Sequence, residues 1–158
     1  MPPRASLAVL CDSTAFWCGL ITHSIFASGT SNYSHPDSVV ADNGHVFIGY
    51  QNLSGKTGGG TSTIVEYTMD GKVVKTFSVP GHSDGMRADP STHLIWTTSN
   101  EDGNPSMATI DPKSGIVTPY TFAKTPHGGG YDDLYFLLVS CFLVCSCLLS
   151  YHVIRIGT

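Results

Sequence analysis

Between residues 22 and 136, apolar and polar positions alternate in short runs, and each run is closed by turn-forming residues. The stretch from Ser62 to Phe77 reads as two strands around Asp70-Gly71, and Ser106 to Phe122 as two strands around Asp111, Pro112 and Gly115. Alternation with period two marks half-buried hairpins. Asp-Gly suits a two-residue turn, and Asp-Pro with a later glycine suits a longer one. Neither segment leaves room for a helix.

The runs recur. The unit from His35 to Asn52 corresponds to that from His82 to Asn100, with Asp37 matching Asp84, Asp42 matching Asp89 and Asn52 matching Asn100. The first two pairs are 47 positions apart and the third 48, the added residue being assigned to the Asp89–Thr92 turn. A third unit opens at His127 and carries Asp132, 48 positions after Asp84. Upstream, Ile25–Ala27 resembles the strand that ends each unit at Phe77 and Phe122. Four short strands every 47 residues or so is the spacing of one β-propeller blade. The expected fold is therefore all-β, with about two complete four-stranded antiparallel blades and parts of their neighbours. A β-sandwich is the alternative.

The segments Pro36–Ile48 and Ser83–Trp96 resemble the blade openings of NHL-repeat propellers and of gluconolactonase/senescence-marker-type propellers. The resemblance covers residues 22–136 and bears on fold more than on activity, because such motifs serve many unrelated functions. In the lactonase group a metal-binding carboxylate lies in a Pro-Asp-Gly-Met-like turn, and Asp84 in Ser83–Met86 matches it with Ser83 replacing the proline. That family's metal-binding glutamate has no match here. The resemblance implies Asp84 as a metal ligand; Asp37 and Asp132 would occupy the same place in neighbouring blades, and a ring of carboxylates suits Ca²⁺ or another divalent cation, which takes several oxygens. Such an ion would act as Lewis acid on a lactone or ester carbonyl. The competing role for these aspartates is structural, accepting backbone N–H groups in Asx-turns. Recurrence from blade to blade suits that role, and His35, His82 and His127 beside them read as solvated or hydrogen-bonded.

Composition narrows the function classes. With 8 Lys+Arg against 12 Asp+Glu, the chain has a formal charge of −4, and no basic footprint for nucleic acid. Its charged share of 13% argues against a coiled coil or a charged disordered tail. All five cysteines lie near the ends, so the middle has no disulfide framework. Gly49–Thr57 has one residue too many between its glycines for a P-loop, and no helix follows it. Gly58–Gly60 and Gly128–Gly130 read as loops, and no nucleophile elbow is recognisable. Cys141, Cys145 and Cys147 lack a second ligand pair for zinc. Asn32 and Asn52 stand in glycosylation sequons, meaningful only on a secretory route.

The ends differ from the middle. Residues 1–21 form a weak candidate signal sequence, broken by Asp12. Residues 134–154 carry no Asp, Glu, Lys or Arg, a run about long enough to cross a bilayer as an apolar helix. Residues 137–158 thus read either as a membrane anchor or as unrelated sequence that replaces the rest of a third blade. Secreted or membrane-associated placement is favoured over cytoplasmic. The leading expectation is a non-catalytic propeller-type module, part of a larger propeller, that presents loops to a protein or small ligand. Its open blade edges invite self-association. The alternative is a divalent-metal-dependent lactonase or esterase-like hydrolase.

Overall fold

The computed structural model describes residues 24–122, 131–139 and 150–154. Strands β1 (Pro36–Asp42), β2 (His45–Tyr50), β3 (Thr61–Thr68) and β4 (Val73–Pro80) form one antiparallel sheet in sequence order. Strands β5 (Ser83–Ala88), β6 (Ile95–Ser99), β7 (Ser106–Ile110) and β8 (Val117–Thr121) form a second sheet of the same order. Strands β9 (Tyr135–Val139) and β10 (Ser150–Ile154) pair antiparallel as a third unit. The described residues are all-β and do not close a ring. The first hairpin turns on Asn43 (φ 46°) and Gly44 (φ 77°), and two successive positive φ values match the twist of the flanking strands. In the last hairpin of the second sheet, Gly115 (φ 82°) returns its N–H to the Asp111 carbonyl. The Asp111 carboxylate meanwhile accepts from the Lys113 and Ser114 amides.

The two sheets share an irregularity in their first ladder, whereas the β3–β4 register shift between Glu66 and Tyr67 has no counterpart in β7–β8. The β1–β2 ladder breaks between Pro36 and Val39, and the β5–β6 ladder between Ser83 and Met86. In each, two residues bulge out of the first strand: Asp37 and Ser38 in one, Asp84 and Gly85 in the other. An asparagine ties down each sheet start. Asn52 Oδ1 accepts from the Ser34 amide, and Asn100 Oδ1 from the His82 amide, both at 3.0 Å. Both asparagines adopt left-handed backbone (φ 54° and 66°), which asparagine tolerates better than most residues. This clamp refines the sequence alignment. His82 corresponds to Ser34, and the His35–Gln51 pair has no counterpart in the second sheet. The β5–β6 turn holds two more residues than the β1–β2 turn, while the ladder is one pair shorter at its other end. The single added residue seen in the sequence is the sum of these changes.

The sheets pack face to face. Phe47, Ile64, Phe77 and Val79 of the first meet Met86, Ile95, Ala108 and Ile110 of the second in one buried cluster. A polar seam continues it toward the bulges, where Ser62 Oγ donates to the Gly81 carbonyl and accepts from the Ser83 amide, both at 2.8 Å. On the far side of the first sheet, Tyr50, Val65 and Tyr67 are covered partly by Ala27 and Tyr33. On the far side of the second, Trp96 stacks on Tyr120 and meets Phe136 edge-on.

The apolar run from residue 134 is not helical where it is described. Its two ends are strands, paired from Tyr135↔Ile154 to Val139↔Ser150. Hydropathy alone does not separate an apolar helix from a buried strand, whereas Tyr, Phe, Val and Ile favour a pleated sheet. No helix among the described residues is long and apolar enough to cross a membrane. Residues 140–149, the candidate signal sequence at 1–21, His127 and all five cysteines lie outside the described residues.

Truncating Ile64, which is fully buried between the sheets, removes transfer free energy and leaves a cavity. Ile64→Ala is expected to lower unfolding free energy by about 2–5 kcal/mol in urea titrations, against less than about 0.5 kcal/mol for exposed Ile116→Ala.

Candidate functional site

The two bulges bring the repeated aspartates to one end of the sheets. A bulge leaves its residues unpaired and re-aims their side chains, and bulges are over-represented beside functional sites. Asp37 and Asp84 occupy the first bulge position in their sheets. Asp132 arrives from the segment before β9, which lies along the second bulge. There the Gly85 amide donates to the Asp132 carbonyl at 2.6 Å, and Thr98 Oγ1 donates to the same oxygen at 3.2 Å. Gly85 is required by space rather than by backbone angle, since a Cβ there would fall on the Asp132 carbonyl oxygen and the Asp133 Cα.

The three aspartates are not equivalent. Asp84, with a neighbour on each side, is only 3% exposed, whereas Asp37 and Asp132 are exposed. Asp84 Oδ2 accepts from the Glu101 amide at 3.1 Å, and Oδ1 lies 3.8 Å from His82 Nε2. Burial pushes the Asp84 carboxyl up to about 7, helped by the Glu101, Asp37 and Asp132 charges and opposed by the Glu101 amide. Partial loss of hydration also raises exposed Asp37, with the Asp132 and Glu101 charges adding to it and His82 opposing. For Asp132, burial again comes first and Glu101 second. Four carboxyl groups thus feel one another at this end of the fold.

His82 is held from behind. Its Nδ1 lies 2.8 Å from the Ser54 carbonyl, an oxygen that only accepts, so Nδ1 carries a hydrogen and Nε2 faces Asp84. Lys56 stands at the rim, with Nζ 3.1 Å from Glu101 Oε1 and 3.8 Å from Asp102 Oδ2. The first sheet has no such arrangement. The residues matching His82 and Glu101 are Ser34 and Leu53, and Leu53 is exposed. His35 lies outside the site, exposed, at φ 60°, with Nδ1 3.0 Å from Ser34 Oγ.

The arrangement offers oxygen acceptors around a carboxyl that is half protonated near neutrality. It suits a ligand carrying positive charge, or exchange of a proton between Asp84 and a bound group. The sequence singled out Asp37, Asp84 and Asp132 as metal ligands. As they stand, no three Asp, Glu, His or Cys side chains among the described residues are placed to hold one ion. Glu101 was missed because it does not recur. Its one sequence signal is its place directly after the repeated Asn100, the residue that sets the loop.

Asp84 carries a raised pKa only in the folded chain, so between pH 4 and 7 the fold retains a proton that the unfolded chain has already released. Stability contributed by that proton is present at low pH and lost as pH rises through 7. Asp84→Asn keeps the acceptor for the Glu101 amide and cannot ionise. It is expected to raise the melting temperature by about 4 °C at pH 8 and to leave it nearly unchanged at pH 4, as followed by circular dichroism. Gly85→Ala is expected to loosen the Asp132 segment from β5, seen as faster hydrogen exchange at the Gly85-site amide. No protein-family model matches the chain, and no curated protein matches it in sequence.

Proposed function

We propose that this chain is part of a non-catalytic β-propeller-type binding module, whose acidic mouth takes a cationic group of a protein or small ligand. The observation that carries this reading is the buried, bulge-held Asp84, with the charges of Asp37, Glu101 and Asp132 acting on it. Carboxylates gathered this way repel one another, and a bound cation relieves that repulsion. Two four-stranded sheets are fewer than a propeller ring needs, and further blades from a longer chain or a second copy would complete it.

One observation favours a second reading, a divalent-metal-dependent lactonase or esterase-like hydrolase. Asp84, in Ser83–Met86, is the buried member of the cluster and lies beside His82, an arrangement suited to moving a proton or, with some closing of the side chains, to holding Ca²⁺.

Calcium and spermidine titrations by calorimetry separate these readings. The binding-module reading expects spermidine to bind, tightening about tenfold from pH 6 to pH 8 as Asp84 ionises, with the effect lost in Asp84→Ala and no hydrolysis of a γ-lactone. Spermidine affinity that is flat with pH and unchanged in Asp84→Ala would remove the mouth from consideration. Asp84-dependent Ca²⁺ binding together with lactone hydrolysis would instead establish the hydrolase.

A further inference from the structure

At the opposite end of the strands the two sheets part to form a cleft of about 570 Å³, within the range of small-molecule sites. Two cross-sheet contacts frame it. His93 Nδ1 lies 3.0 Å from Asp42 Oδ2, joining the β5–β6 loop to the end of β1. Lys75 Nζ donates to the Pro112 carbonyl at 2.8 Å, joining β4 to the β7–β8 turn. Phe47, Leu94 and Pro112 supply apolar wall.

Glu66 on β3 also lines this cleft, and it is 4% exposed. Its Oε1 lies 2.9 Å from His45 Nδ1, but its Oε2 is buried with no hydrogen-bond partner. A carboxylate oxygen out of water and without a donor is costly, and a native fold rarely keeps one without a reason. Lys75, opposite Glu66 on β4, is committed to Pro112. The Asp111 carboxylate is occupied by the Lys113 and Ser114 amides and the Ser114 hydroxyl. Glu66 Oε2 is therefore an unpaired acceptor on a residue that lines a small-molecule-sized space whose other carboxylates are engaged.

We propose that this inter-sheet cleft is a second ligand site, separate from the Asp84 mouth, that takes a small organic cation. A primary ammonium or guanidinium group donates to the Glu66 carboxylate as its side chain turns Oε2 toward the cleft, and the attached carbon chain lies against Phe47, Leu94 and Pro112. Such a pairing supplies the missing donor as a charge-assisted hydrogen bond and covers the apolar wall.

Agmatine, which carries both groups on a short alkyl chain, is the probe. It is titrated into the full chain labelled with ¹³C at glutamate side chains. The expected result is a saturable shift of the Glu66 carboxyl resonance, with binding weakened about tenfold or more in Glu66→Gln and unchanged at that resonance in Asp84→Asn. The wild-type resonance reads the cleft directly, so the test survives even if Glu66→Gln does not fold. A Glu66 resonance that does not move on saturation with agmatine would overturn the proposal, leaving a buried water as the partner of Oε2. Equal cleft binding by folded Glu66→Gln would overturn it too.

Discussion

Everything at either end of this molecule depends on the apolar contact between its two sheets. Phe47, Ile64, Phe77 and Val79 meet Met86, Ile95, Ala108 and Ile110, and this burial is the main favourable term available to a chain whose described part has no cysteine. It fixes β1 beside β5 and β4 beside β8. Placing β1 beside β5 brings the two bulges to one end and the Asp42 and His93 loops to the other. The Ser62 hydroxyl, bonded to both Gly81 and Ser83, carries the contact into the polar seam, where water would otherwise compete for those backbone groups.

The same bulge serves different ends in the two sheets. In the first it leaves Asp37 at the surface, while in the second it seats Asp84 between neighbours and loads it with the field of three other carboxyls. Chemistry thus arises from position in the stack more than from the motif. His82 and Glu101, which make the second bulge distinctive, replace Ser34 and Leu53 of the first.

Strands and turns were legible because each answers to local chemistry. Period-two alternation put Thr61–Thr68 and Val73–Pro80 in a hairpin around Asp70-Gly71, although the loop there holds three residues, Met69 to Gly71, where two were expected. The aspartates of the site were legible because they recur. Glu101 was not, since a search for recurrence passes over a residue that occurs once, and neither was the Glu66 cleft, whose walls come from four separate turns and strands. The apolar run beginning at residue 134 suggested a helix because its hydropathy was read without its partner. Pairing with Ser150–Ile154 and the contact of Phe136 with Trp96 are tertiary facts that no local pattern encodes.

The all-β character, the order of the hairpins and the recurrence of the aspartates can be read along the chain, because propensity and turn geometry act over a few residues, while the alignment of the two sheets needed the Asn52 and Asn100 clamps. Packing sets which aspartate is buried, which histidine stands beside it, and that Glu66 keeps one oxygen unpaired. Burial and electrostatic coupling are properties of residues far apart in the chain, and they take values only when one sheet is laid against another.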